Sequence, residues 1–149
     1  MIRDSTYILL VEDNQDDVDL TIRALKKNGL INEVAVARDG AEALDLLFGR
    51  GDYAGGSTVL PQLILLDIRL PKLSGLEVLK ELRQDERTRF LPVVMLTSSK
   101  EEQDLVDSYS YGANSCVQKP VNFDDFSEAV RQLGVYWLVL NKAPWQPSL

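Results

Sequence analysis

The chain has 149 residues, a formal net charge of −7 at pH 7, no histidine and one cysteine. This length suits one domain with a proper hydrophobic core, and the negative charge argues against nonspecific binding to nucleic acid. The absence of histidine excludes histidine-based catalytic triads, most zinc sites and a phosphohistidine on this chain, while a single cysteine excludes an internal disulfide.

The same properties bear on where the protein works. No apolar stretch approaches the roughly 18 residues that a membrane-spanning helix needs, and the N-terminus lacks a signal-peptide pattern. We therefore expect a cytoplasmic protein with no membrane contact. We also expect one domain over residues 1–149, with a core at about 7–133 and a C-terminal helix extension and tail at 134–149.

Short apolar runs alternate with amphipathic segments of helical period, which predicts an α/β domain with a parallel sheet. Strands are predicted at about 7–11, 34–37, 63–66, 93–96 and 115–118. Helices are predicted from residue 14 or 15 to the Asn28-Gly29 pair, at 41–48, after Ser74, from residue 98 or 99 to near Gly112, and from near Asn122 to about Leu140. Residues 49–62 contain four glycines and a proline, which indicates a surface loop.

Two local patterns concern the predicted third helix. Ser74 is followed three residues later by Glu77, which is the spacing of a capping box. Leu76, Leu79 and Leu82 recur at helical spacing, so we expect them to face the core.

The predicted last helix carries a heptad-like apolar seam that is long for a helix covering one sheet edge. One interpretation is a stripe that faces the core, which accounts for its first two residues. The other is a surface that extends past the domain and joins a second copy of the chain. The seam residues are Phe126, Val130, Leu133, Trp137 and Leu140.

Polar side chains follow four of the predicted strands at the point where each strand ends. They are Glu12-Asp13, Asp67, Thr97 and Lys119. Because ligands of an open parallel sheet bind beyond the carboxyl ends of its strands, we expect these side chains to form one site.

These residue types suit a divalent cation and a phosphoryl group. Asp13 and Asp67 offer hard oxygen ligands for Mg²⁺, and Glu12 could act through a bound water. The Asp67 carboxylate is a nucleophile that can form an acyl phosphate. Thr97 can donate its hydroxyl to a phosphoryl oxygen, and Lys119 can bind phosphate as a point charge.

The chain resembles the receiver domain of two-component response regulators from about Tyr7 to Leu133. The resemblance implies a flavodoxin-like fold, a doubly wound five-stranded parallel sheet in the order 2-1-3-4-5 with five flanking helices. The residues that carry it are Glu12-Asp13, Asp67 with Leu70-Pro71 and Gly75, Thr97, and Lys119-Pro120.

The resemblance also implies a role for each site residue. Asp67 would accept a phosphoryl group from a sensor histidine kinase. Asp13, Asp67 and the backbone carbonyl of Arg69 would ligate Mg²⁺, with Glu12 assisting through water. The protein would be no enzyme beyond its own phosphorylation and dephosphorylation.

One position departs from the family's pattern. Thr97 and Lys119 would sense the phosphoryl group, but the Tyr or Phe usually found three residues before the lysine is Cys116 here. A cysteine cannot swing a ring between pocket and solvent. Output would then pass through shifts of the Thr97 loop and the next helix, or through a neighbour such as Tyr109 or Tyr111.

A narrower resemblance concerns the loop at about residues 49–61 and the Tyr136-Trp137-Leu138 ending. Both are similar to small receivers that partner phytochrome-type histidine kinases, whose members tend to dimerise through the last helix. This resemblance implies a phytochrome-type kinase partner, a homodimer formed through the seam, and output by protein contact.

Two other functions stay open at this point. A degenerate receiver could act as a dimeric adaptor without phosphorylation, and Cys116 leaves room for such altered output. An Asp-nucleophile phosphatase usually needs a second aspartate two residues after the first, but that position is Arg69. The phosphatase is therefore the weaker alternative.

Overall fold

A computed structural model describes residues 7–27, 33–55, 59–97, 102–118 and 123–134. The strands are β1 (Tyr7–Val11), β2 (Glu33–Ala37), β3 (Leu63–Asp67), β4 (Val93–Thr97) and β5 (Ser115–Gln118). The helices are α1 (Gln15–Lys27), α2 (Gly40–Phe48), α3 (Gly75–Gln84), α4 (Glu102–Ser110) and α5 (Phe123–Gly134). A short 3-10 helix, Gly51–Tyr53, lies within the predicted loop after α2.

The five strands form one parallel sheet in the order β2-β1-β3-β4-β5, which confirms the predicted topology. The central strand β3 pairs with β1 on one side and with β4 on the other. Val11 pairs with Leu66, and Asp67 pairs with Leu96, so the carboxyl ends of these three strands lie at one edge. All residues of β3 and β4 are buried, as expected for parallel strands covered on both faces.

Hydrophobic clusters lie on both faces of the sheet because successive strand residues point to opposite sides. Ile64 and Leu66 of β3 pack in the cluster that includes buried residues of α2 and α3. Leu63 and Leu65 of the same strand pack in the cluster that includes Val18, Ala24 and Leu25 of α1. The strand carrying Asp67 is therefore held from both sides.

The structure adds two residues to the predicted core face of α3. Leu79 and Leu82 are buried as predicted, Leu76 is half-buried and packs against the same hydrophobic cluster, and Val78 is a further buried residue that was not predicted. The buried face follows the i, i+3, i+4, i+7 spacing that starts at Gly75. The predicted face therefore omitted Val78 and Gly75, and the glycine has no side chain that an apolar pattern could mark.

Element boundaries also differ slightly from the predictions. The helix expected at 41–48 begins at Gly40 because the Asp39 side chain accepts a hydrogen bond from the Glu42 amide at 2.7 Å and caps it. Strands β3 and β4 each extend one residue further, so that Asp67 and Thr97 are their last residues.

Some predicted features lie outside the described residues. These are the helix start at Ser98 or Ser99, Lys119 with Pro120, and the seam residues Trp137 and Leu140. The backbone of α5 includes Phe126, Val130 and Leu133, whose side chains are likewise outside the description. Within the described ranges, none of the helices combines the length and apolarity that crossing a membrane requires.

Candidate functional site

Three predicted carboxylates meet at the carboxyl edge of the sheet. One oxygen from each of Glu12, Asp13 and Asp67 lies within 4.8 Å of the other two. Glu12 is 1% exposed and Asp67 is 7% exposed, whereas Asp13 is open to solvent. Thr97, 3% exposed, ends the neighbouring strand β4 next to the pair formed by Asp67 and Leu96. The predicted grouping of the three carboxylates is confirmed.

The turn from β1 into α1 positions Glu12. Its amide donates to the Ala37 carbonyl at 2.9 Å, which continues the β1–β2 ladder past the end of the strand. The Glu12 Oε2 atom accepts the Asn14 amide at 3.3 Å, and the Asn14 Oδ1 atom accepts the Asp17 amide at 3.1 Å at the start of α1. Strand end and helix cap thus share one short segment that directs the carboxylates to the sheet edge.

Gly75 is packed against the backbone of Asp67. Its amide donates to the Ile68 carbonyl at 2.8 Å, and a Cβ built on it would lie 2.1 Å from the Asp67 carbonyl oxygen. Only a residue without a side chain fits there. A glycine is therefore required at position 75 for a steric reason, because it lets the start of α3 approach the end of β3.

The loop between Asp67 and α3 is held against the start of α2. Lys72 adopts a left-handed backbone conformation, with φ of 66°, and the Leu73 amide donates to the Pro71 carbonyl at 2.8 Å. The Lys72 Nζ atom lies 3.4 Å from Asp39 Oδ2. A Cβ on Gly40 would lie 2.4 Å from the Leu73 carbonyl oxygen. The sequence did not predict the close approach of Gly40 to the Leu73 carbonyl, which is possible because Gly40, the first residue of α2, has no side chain.

Arg69 links the same loop to α4. The Arg69 Nη2 atom lies 3.1 Å from Asp104 Oδ2, and the two residues are 35 positions apart. The side chain of Asp104 is 15% exposed, against 63% for Arg69. The resemblance to the receiver family implied a role only for the Arg69 backbone carbonyl, as a metal ligand, so this side-chain ion pair was not predicted.

Cys116 lies on β5 opposite Met95 and packs at the margin of the cluster formed with α2 and α3. Burial raises the pKa of its thiol, and hydrogen bonds with the Ser108 and Tyr109 side chains only partly oppose that shift. At neutral pH the group is therefore a protonated thiol, which is a poor nucleophile.

The donor set fits a hard divalent cation. Three carboxylates crowded within 4.8 Å repel one another, and a cation between them removes that repulsion. All three grouped ligands are carboxylate oxygens, the type that Mg²⁺ and Mn²⁺ prefer and that zinc sites rich in sulfur or imidazole lack. The Arg69 carbonyl and water molecules could complete an octahedral site.

The chain matches the family model of the response regulator receiver domain over residues 8–131. The response regulator Rcp1 of Synechocystis sp. is 38% identical over 131 residues, which cover 88% of each chain. The Mn²⁺-bound crystal structure of Rcp1 covers 93% of this chain and 99% of its own, with a TM-score of 0.84 and 37% identity.

Two further solved structures are similar. The bacteriophytochrome response regulator AtBRR is 52% identical, covers 93% of this chain and 99% of its own, and has a TM-score of 0.73. The phosphorylated cyanobacterial phytochrome response regulator RcpA is 38% identical, covers 93% and 98%, and has a TM-score of 0.85. With the acidic site at the carboxyl edge of a 2-1-3-4-5 sheet, this chain belongs to the response regulator receiver domain family.

Proposed function

We propose that this chain is a response regulator that accepts a phosphoryl group on Asp67 from a sensor histidine kinase in a Mg²⁺-dependent reaction. The observation that carries the proposal is the placement of a nearly buried Asp67 beside Glu12 and Asp13, at the sheet edge of a receiver domain. A carboxylate at that place has both a cation site and access to a phosphodonor.

The reaction is an in-line displacement at phosphorus. A carboxylate oxygen of Asp67 forms a new P–O bond while the P–N bond of the donor phosphohistidine breaks. The imidazole leaves with the electron pair of that bond and takes up a proton from solvent. When bound, Mg²⁺ supplies positive charge that offsets the carboxylates and the phosphoryl oxygens.

The remaining site residues act on the phosphoryl oxygens. The Thr97 hydroxyl donates a hydrogen bond to one oxygen, and its place at the end of β4 beside Asp67 supports this role. Lys119 offers a positive charge beyond the end of β5. Both residues then sense the acyl phosphate. We further propose that the protein turns over only its own phosphoryl group and is not an enzyme toward other substrates.

A kinase of the phytochrome type is the partner that we propose. The support is the 52% identity to the bacteriophytochrome response regulator AtBRR and the likeness to RcpA, a phytochrome response regulator. We further propose that the protein works in the cytoplasm by protein contact. The readout is a homodimer formed through the seam Phe126, Val130, Leu133, Trp137 and Leu140.

Phosphorylation by a small phosphodonor with Mg²⁺ tests the acceptor role. Intact-mass measurement should show one added phosphoryl group on the parent protein and on Asp16→Asn, an exposed acidic control on α1. Asp67→Asn should take up none, and removal of Mg²⁺ with a chelator should slow the reaction strongly.

Other outcomes of that experiment favour the other candidates. No uptake by the parent protein would favour a dimeric adaptor that works without phosphorylation. If the protein is instead incubated with varied phosphomonoesters, continuous release of phosphate would favour an Asp-nucleophile phosphatase. Arg69 would then stand where such phosphatases usually have a second aspartate.

Sedimentation tests the homodimer. Trp137→Ala should weaken self-association, whereas Phe90→Ala, which removes an exposed aromatic ring outside the seam, should leave it unchanged. A parent protein that sediments as a monomer, phosphorylated or not, would contradict the dimer.

A further inference from the structure

A chain of polar contacts leads away from the phosphoacceptor loop into α4. Arg69 lies two residues after Asp67, and its Nη2 atom contacts Asp104 Oδ2 at 3.1 Å in the first turn of α4. The Asp104 carboxylate is largely shielded from solvent. The Arg69 side chain is 63% exposed, so the ion pair is half-shielded and contributes a modest free energy that favours one position of α4.

The contacts continue from Asp104 to β5. The buried Ser108 hydroxyl, one turn further along α4, donates to the Asp104 carbonyl at 2.8 Å. Helix α4 packs against β5, the strand that carries Cys116. The chain of contacts thus reaches the position where the family usually has its aromatic switch residue.

The helix that carries these contacts is weakly anchored by apolar packing. Its large apolar side chains Leu105, Val106 and Tyr109 are exposed, so they add little buried area against the rest of the domain. An element with few buried apolar contacts moves at low free-energy cost. Polar contacts such as the one with Arg69 therefore weigh more in setting the position of α4.

Phosphorylation changes the balance at Arg69. A phosphoryl group adds close to two negative charges and strong acceptor oxygens. A guanidinium prefers to pair with phosphate oxygens in a forked geometry. Once Asp67 carries that group, its oxygens compete with Asp104 for the Arg69 side chain two residues away.

We propose that the Arg69–Asp104 ion pair is the output switch of this receiver, in place of the missing aromatic residue. The pair is intact in the unphosphorylated protein and holds the start of α4. On phosphorylation Arg69 turns to the phosphoryl oxygens, Asp104 is released, and the movement of α4 reaches the strand β5 against which it packs. This inference rests on the proposed function, because the trigger is the phosphoryl group on Asp67.

Amide hydrogen exchange of residues 102–110 tests the switch in four proteins. These are the parent, Asp104→Asn, Arg69→Gln and the double variant, each measured before and after treatment with a small phosphodonor and Mg²⁺. Asp107→Asn is the matched control, since Asp107 lies on the same helix and accepts from Gln103 at 2.7 Å. Intact mass in the same samples reports how much phosphate each protein carries.

The parent should exchange faster in α4 after phosphorylation, by about twofold to fivefold, the range expected for losing one such ion pair. Asp104→Asn should already exchange faster by that factor without phosphate and change little on phosphorylation. The double variant should match Asp104→Asn, because the ion pair is already absent in that single variant. Asp107→Asn should behave like the parent.

Two results would overturn the inference. One is parental exchange of α4 in unphosphorylated Asp104→Asn. The other is an undiminished rise in that variant after phosphorylation. Because phosphate uptake is measured separately, either result in Asp104→Asn, together with phosphate uptake by the parent, defeats the switch alone. A parent that takes up none defeats the proposed function as well.

Discussion

Replacing Gly75 by alanine tests the steric account of the phosphoacceptor loop. The added Cβ would lie 2.1 Å from the Asp67 carbonyl oxygen and 2.9 Å from both its carbonyl carbon and the Ile68 Cα. To bring the first contact from 2.1 to 3.0 Å, the backbone must move by about 0.9 Å. All three contacted atoms are backbone atoms, so no change of rotamer relieves the clash.

Two opposing terms set the change in the free energy of unfolding. Alanine is better than glycine in a helix by about 1 kcal/mol. Overpacking costs about 1–3 kcal/mol, and contacts with rigid backbone place this case in the upper half of that range. We therefore expect Gly75→Ala to destabilise the domain by up to about 2 kcal/mol, which lowers Tm by roughly 4–8 °C for a domain of this size.

The effect on the site should exceed the effect on stability. A shift of about 1 Å at a reacting group can cost on the order of 100-fold in rate. Phosphorylation of Asp67 in Gly75→Ala should therefore be slower by about that factor under conditions in which the variant is fully folded.

Urea unfolding and the rate of phosphoryl uptake measure the two effects separately. Gly55→Ala is the control, because Gly55 has φ of 83° and nothing within 4 Å of its Cβ position. That change should cost about 1 kcal/mol through its left-handed backbone and leave the phosphorylation rate unaltered. If Gly75→Ala is as stable as the parent and is phosphorylated at the parental rate, the steric reasoning is wrong.

Three further predictions concern stability. Arg83→Ala removes hydrogen bonds to three backbone carbonyls and to Asn114 Oδ1, so urea unfolding should show a loss of about 1.5–3 kcal/mol that Arg83→Lys only partly restores. Ser74→Ala removes the capping box of α3 and should cost about 1 kcal/mol in the same measurement. Hydrogen bonds from Arg87 hold the pKa of Asp85 at about 2, so its stabilising effect is complete above the unfolded pKa of about 3.9 and is lost as the pH falls toward 2. Asp85→Asn should therefore reduce the loss of stability on acidification from about pH 4 to pH 2, and high salt should shrink the difference.

The local elements of this protein follow closely from its sequence. The β1 and β5 ranges agree with the structure at both ends, and the Ser74–Glu77 capping box is present as predicted. These features depend on neighbours within a few positions, through side-chain alternation and backbone amides at a helix start. The same short-range rules predicted the α3 face only in part, since they omitted Val78 and the buried glycine at its first position.

The meeting of Glu12, Asp13 and Asp67 was also predictable, although the residues are far apart in the chain. Parallel strands in an α/β sheet bring their carboxyl ends to one edge, so knowing which residues end the strands is enough. The arrangement of charges at that edge is thus a consequence of topology rather than of side-chain detail.

The sequence by itself determined the strands, the Ser74 cap and the carboxylates that share the sheet edge, because periodicity and local spacing carry that information, while the strand order followed from the resemblance to the receiver family. Only the tertiary structure decided that Gly75 touches the Asp67 carbonyl and that Arg69 pairs with Asp104 across 35 positions. Such contacts depend on how far two packed elements stand apart and on where each side chain points. The spacing of residues along the chain encodes neither the distance between packed elements nor the direction of a side chain.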